Sequence, residues 1–321
     1  MKPFKHIAFV LDNQHSYPSP ALLRAIKLAE NHQAALTLLK IVPPIPSFVA
    51  LASNGPDIRD KFVAREEQLL AELVASLSTP VTMMAHLLIG KRYIEIIHQV
   101  QRQNIDLVIK EPDTMDWLDR LFGSDDMHLL RKCPCPVWLM QKSDSTECKH
   151  ILAAVAFNEE SHASEQEMND RILDYASALA MSDFATLHVL HCYETPEAGF
   201  ISLWAEHPDK VEKEMTASEH ASRKGKMQLL MNRLKTRIGN DNFDFLSPST
   251  HLIQGPPDLE IPRMATRLNA DLVVMGTVAR SGVTGVIIGN TAESVLSQLH
   301  CSVFAIKPQG FISPLAERPH Q

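Results

Sequence analysis

The chain has 321 residues, 45% of them hydrophobic and 21% charged, which suits two globular domains and excludes a disordered chain. A formal charge of −7 and a pI near 6.1 argue against a nucleic-acid or polybasic membrane role, and the longest apolar runs are strand-sized, too short for a bilayer span. Five scattered cysteines, and a start that runs from Met1 into a strand with no apolar leader, predict a reduced, cytoplasmic protein.

The elements alternate. A strand over 6–11 ends at Asp12, and a helix over 19–31 carries Leu22, Leu23, Ile26 and Leu28 at helical spacing with Pro20 in its first turn. Strand 35–42 closes on Pro43 and Pro44. A loop near 50–55 leads to an amphipathic helix over 57–76, then strand 81–89, ended by Gly90. Helix 93–103, a fourth strand through 104–109 and a fifth over 137–140 complete the first set. A polar linker, 141–149, follows, and the order begins again: strand 150–155, helix 171–181, strand 186–192, a long helix 209–238 interrupted by Gly225, strand 251–254, helix 258–268, strand 271–275 and strand 301–306. Alternation of this kind implies right-handed crossovers and a mostly parallel sheet in each half.

The halves are copies. Gly90 and Gly255 lie 165 residues apart, as do Asp106 and Asp271. Gly123 and Gly289, Cys135 and Cys301, and Val137 and Val303 lie 166 apart. Registry across separate landmarks marks a tandem repeat, with domains over 1–142 and 149–308 and a tail over 309–321.

The stretch 271–291 carries the sharpest chemical signal. A buried strand runs into Gly276, Gly282, Gly285 and Gly289, and then into a helix for which Asn290 or Thr291 is the expected cap. Glycines let backbone N–H groups turn toward a ligand, and a helix start is an anion site. A phosphate cradle and a plain connecting turn both fit that composition. There is no Walker lysine after Gly289 and no nucleophile elbow, so fast hydrolysis is not expected.

The same stretch resembles the nucleotide loop of the universal stress protein family, in which Gly, two residues, Gly, nine residues, Gly and a Ser or Thr bind ATP. Gly276 and Gly289 stand at the outer glycine positions; Ala279 replaces the middle one and Asn290 the hydroxyl residue. The resemblance covers nearly the whole chain, twice, and the segments GNTAESVL and HLLRKCPCPVW are most similar to the tandem, E-type branch. It implies two doubly wound, five-stranded parallel sheets of the adenine nucleotide alpha hydrolase kind, packed as a pseudo-dimer along the fifth strands. It also implies a non-catalytic stress-response protein, with at most slow ATP hydrolysis. The candidate ligand is ATP, possibly with Mg2+, and the candidate contacts are Gly276, Ala279, Arg280, Ser281, Gly289, Asn290 and Thr291. The alternative is a decayed site in an interaction or dimerisation module, or in a binder of a hydrophobic metabolite; a homo-oligomer is compatible with either.

The copies differ at this site. In the first, the fourth strand runs into Glu111-Pro112-Asp113, and Asp116, Asp119, Asp125 and Asp126 follow, so polyphosphate is expected to be repelled. That acidic run reads as a solvated loop, with a hard-cation site as the alternative. Asp12 keeps the acidic residue with which the family contacts nucleotide; the second copy has Ala156 there. Fifteen histidines invite a metal reading, but strand alternation sends His188 and His191 to opposite faces. Cys133-Pro-Cys135 reads as a chain reversal. Two inserts, 43–78 with Ile45, Phe48, Val49 and Leu51, and 193–238 with Phe200, Ile201, Leu203 and Trp204, read as packing surfaces or as lids over the strand ends.

Overall fold

A computed structural model describes residues 4–12, 17–44, 56–112, 125–141, 146–157, 163–195, 207–277 and 288–315. The chain forms two compact units, one built on Lys2–Glu147 and the other on Cys148–Arg280 with Ile288–Gly310.

In the first unit β1 (His6–Leu11), β2 (Ala35–Val42), β3 (Met83–Ile89), β4 (Leu107–Lys110) and β5 (Val137–Leu139) lie in the order β3-β2-β1-β4-β5. The pairs β1–β2, β2–β3, β1–β4 and β4–β5 are all parallel. β1 and β4 are apolar runs because both faces of these central strands are covered; Ile7, Phe9, Leu107 and Ile109 have no exposed surface. The crossovers are made by α1 (Pro20–His32), α2 (Pro56–Ser76), α3 (Arg92–Gln103) and α4 (Asp125–Lys132). Ser19 caps α1, its hydroxyl accepting from the Leu22 N–H at 3.2 Å, with Pro20 at the first turn as expected.

The second unit repeats the plan. β6 (His150–Ala154), β7 (Thr186–Tyr193), β8 (Ser249–Gln254), β9 (Leu272–Gly276) and β10 (Ser302–Ile306) lie in the order β8-β7-β6-β9-β10, again all parallel. Its helices are α5 (Ala163–Asp183), α6 (Pro208–Ile238), α7 (Asn240–Leu246), α8 (Pro257–Arg267) and α9 (Asn290–Gln298). Three features depart from expectation. α5 starts eight residues before the predicted 171. Gly225 does not break α6: a side chain there would meet nothing within 4 Å. Gly239, at φ +87, ends α6 and α7 follows, a helix that the sequence pattern did not signal.

One carboxylate in each unit ties the sheet together at the same place. Asp106 accepts from the N–H groups of Lys5 (2.7 Å) and His6 (3.3 Å), and Asp271 from those of Lys149 (2.6 Å) and His150 (2.9 Å). Each therefore clamps the start of the first strand of its unit to the start of the fourth. Chain order reverses between those two strands, so their carboxyl ends flank the crevice where open α/β sheets bind ligands.

Candidate functional site

In the second unit β9 delivers Gly276 and Thr277 to that crevice. The Thr277 N–H donates to the carbonyl of Ile306 at 3.2 Å, and the Gly289 N–H donates to the carbonyl of Thr277 at 3.2 Å. After residues 278–287 the chain thus returns to where it left the sheet. α9 starts there, Glu293 N–H closing its first turn on the Gly289 carbonyl at 2.9 Å. Gly289 is the cap residue, at φ −62 and ψ 142, and no side chain caps the helix. This corrects the expectation for Asn290 and Thr291: both are already helical and exposed. The first backbone N–H groups of α9 are left without an intrahelical acceptor, as at any helix start.

Two buried groups complete this corner. Lys307, directly after β10, is 3% exposed, and its Nζ donates to Thr277 Oγ1 at 2.5 Å. Asn169 of α5, 3% exposed, accepts from the Ala156 N–H at 3.0 Å and donates to the Ala156 carbonyl at 2.7 Å. Gly276 is not demanded by its surroundings: an added Cβ would meet Met168 at 3.4 Å, an ordinary contact. An ammonium and a helix start at one strand end favour an anion. The thiols of Cys192 and Cys301 are not prepared as nucleophiles, for burial pushes both up to about 12. Among the described residues no group of three His, Cys, Asp or Glu side chains has the geometry of a metal site.

The first unit fills the same corner with its own charges. Lys110 occupies the Met275 position, Glu111 that of Gly276 and Asp126 that of Ala292. The Lys110 Nζ lies 2.8 Å from Asp126 Oδ1 in the first turn of α4 and donates to the Glu111 carbonyl at 3.0 Å. Ser19 Oγ donates to Glu111 Oε2 at 3.3 Å. Glu111 and Asp126 are 4% and 5% exposed, so these two members of the acidic run are not solvated, contrary to expectation; Asp113, Asp116 and Asp119 lie outside the described residues. At the end of β1, the Asp12 N–H donates to the Tyr17 hydroxyl at 2.6 Å. The Lys40 Nζ donates to the Asp12 carbonyl at 3.4 Å, and Arg92 lies 3.9 Å from its carboxylate. Burial, and then the carboxylates of Glu111 and Asp12, push the Tyr17 phenol well above its ordinary range.

Of the predicted contacts, Gly276 and Gly289 come together, Asn290 and Thr291 follow on the helix, and Ala279, Arg280 and Ser281 lie outside the described residues. The apolar residues of both inserts, from Ile45 to Leu51 and from Phe200 to Trp204, also lie outside them. The described part of the second insert, α6, covers the ends of β6 and β7 within its own unit. Tyr193 Oη bonds His220 Nδ1 at 2.9 Å, and buried Arg223 donates to the Phe157 carbonyl and pairs with Glu219. The histidines of β7 do diverge: His188 meets His251, and His191 meets the Val155 carbonyl. Cys133 and Cys135 are buried free thiols with Sγ atoms 3.6 Å apart. Sequence reasoning missed Lys307, Thr277 and Asn169. A lysine straight after an apolar strand and before Pro308 was the available signal for the first; nothing marked Asn169.

The profile of the Universal stress protein family matches residues 3–141 and again 147–307. The chain is 28% identical to Universal stress protein E of Escherichia coli strain K12 and 27% identical to that of Photorhabdus laumondii, each over 98% of both chains. Among solved structures it resembles a functionally unknown protein of Pseudomonas aeruginosa PAO1, with a TM-score of 0.66 at 24% identity over 98% of this chain and 96% of that one. It also resembles a universal stress protein from Archaeoglobus fulgidus, with a TM-score of 0.58 at 18% identity over 94% and 96%. At these identities the structural likenesses speak for the fold alone.

Proposed function

Because the chain belongs to the universal stress protein family, as a tandem member of the E type, we propose that its second unit binds ATP at the carboxyl end of β9. The observation that carries this reading is the Gly289–Thr277 hydrogen bond, which holds the uncapped start of α9 against Gly276, beside the buried Lys307. The polyphosphate would take the free N–H groups of α9, with Lys307 as the nearby countercharge. Ala279, Arg280, Ser281, Asn290 and Thr291 are the remaining candidate contacts, and Mg2+ would accompany the phosphates. The first unit is proposed not to bind, since Glu111 and Asp126 already fill the equivalent places. A cytoplasmic, non-catalytic protein accords with five cysteines that form no disulfide and with the thiols of Cys192 and Cys301, which burial keeps protonated.

One observation favours a second reading, a site that has lost nucleotide and serves an interaction role or a hydrophobic metabolite. Asn169 occupies both backbone groups of Ala156, where the family would present an Asp to the ligand. Native mass spectrometry with and without ATP and Mg2+, beside Gly289→Trp, separates the two. One ATP per chain, absent in the variant, is the expected result. None would give the second reading; two would overturn the exclusion of the first unit.

A further inference from the structure

A row of three histidines crosses the second sheet. His150 starts β6, His188 sits in β7 and His251 in β8. His188 Nδ1 lies 3.2 Å from His251 Nε2, with the rings 5.3 Å apart, and the His150 and His188 rings are 5.7 Å apart. One proton serves the His188–His251 bond. The outer nitrogens, His188 Nε2 and His150 Nδ1, are buried and meet no hydrogen-bond partner among the described residues.

The first unit carries the same row in the same register, built differently. His6, Thr37 and His86 stand at the corresponding positions of β1, β2 and β3, since Thr37 pairs with Ala8 and His188 with Leu152, while His86 pairs with Leu39 and His251 with Leu190. The central imidazole is replaced by a hydroxyl, and Gln103 joins the row. His6 Nδ1 faces the Gln103 carbonyl at 3.0 Å and its Nε2 faces Thr37 Oγ1 at 2.7 Å. Gln103 Nε2 reaches His86 Nε2 at 2.8 Å, and Thr37 Oγ1 donates to Gln103 Oε1 at 3.5 Å. An imidazolium at His6 would find an oxygen acceptor for each N–H. The second unit has Leu268 where Gln103 stands, and an added proton at His188 Nε2 would have no acceptor among the described residues.

We propose that the row His150–His188–His251 is a proton-sensitive element of the second unit: the His188–His251 pair packs as neutral imidazoles above neutrality, and an added proton loosens the β6–β7–β8 sheet. The charges that face it oppose a second proton. His150 and His251 flank His188, and Arg267 at the end of α8 faces His251. Asp271 is the nearby carboxylate, and its oxygen accepts from the backbone of Lys149 and His150. Burial first, and then His251 and His150 for His188 and Arg267 for His251, hold both below the ordinary histidine range. A depressed histidine binds its proton less well folded than unfolded. The stability it lends is therefore whole above about pH 6.5, the unfolded value, and is lost as pH falls from there toward the folded value.

The test is hydrogen exchange of the full-length chain from pH 8 to 5.5, corrected for the intrinsic rate and read by mass spectrometry. Protection of β6–β8 should fall by up to about tenfold per pH unit for each such histidine below about pH 6.5, and more steeply than that of β1–β3, in whose unit burial first and then Lys132 hold His128 low. A decline shared equally by both sheets, or none in β6–β8, overturns the proposal. The double variant His188→Thr/Leu268→Gln, which copies the first unit, should lose the decline; if it keeps it, the row is not the cause. Should that variant not fold, imidazole NMR of the unaltered chain decides: His188 and His251 should titrate below about pH 6.5, and midpoints at or above that value overturn the proposal.

Discussion

The carboxyl end of β4 and that of β9 are one position in one repeat, and they solve its electrostatics in opposite ways. At β4 the chain supplies both charges itself: Lys110 meets Asp126 at the start of α4, and Glu111, at the glycine position, accepts from Lys110 through its carbonyl and from Ser19 through its carboxylate. At β9 the cation is Lys307, Gly276 and Ala292 stand where those carboxylates were, and α9 begins without a side-chain cap. A helix start attracts negative charge whether it comes from a side chain or a ligand. The difference teaches that losing a glycine changes such a strand end less than gaining a resident anion does.

That contrast is most easily broken at Lys110. Lys110→Met takes the ammonium from a buried carboxylate and should destabilise the first unit by about 3–5 kcal/mol. Adding Asp126→Ala, which restores the second unit's own pair of residues, should recover most of the loss. Denaturant unfolding followed through Trp138, with Trp117 and Trp204 replaced by Phe, reads both outcomes; equal stability of the single and double variants would show that the pair is not coupled. A smaller effect sharpens what the units share. Asp106→Ala and Asp271→Ala should each cost about 1–3 kcal/mol, through the freed N–H groups of Lys5 and His6 or of Lys149 and His150. Exchange at those amides should rise only in the unit that carries the substitution. The smallest effect belongs to Asn290→Ala: this exposed helical residue caps nothing, so unfolding should shift by no more than about 0.5 kcal/mol. A loss above 1 kcal/mol would restore its predicted role as a cap.

The strands were legible because central parallel strands bury both faces and therefore read as unbroken apolar runs. The polar first turns of α5, over 163–170, offered no such run, and α7 follows a glycine with too few residues for a period to show. The site was legible as far as composition reaches. Gly276 and Gly289 announced a turn beside a helix, and the missing glycine at Glu111 announced a different first copy. What composition could not show is partnership. Asp126 read as one more solvated acid because Lys110 approaches it from a strand end sixteen residues earlier. Lys307 read as a lysine leaving the sheet, and Asn169 as one polar residue of a helix, until the fold turned them to Thr277 and Ala156.

The clamp made by Asp106 and Asp271 also bears on how the chain is born. Asp106 holds a backbone group 101 residues behind it, and Asp271 one 122 residues behind. In each unit the first strand to be synthesised is the middle of the sheet, and its second edge stays unpaired until the fourth strand arrives. Closure at such sequence separation is slow, and an open apolar edge is a template for the wrong partner. The nascent chain must therefore carry a bare edge through most of a domain's synthesis, twice, and aggregation during translation is the hazard that this strand order builds in.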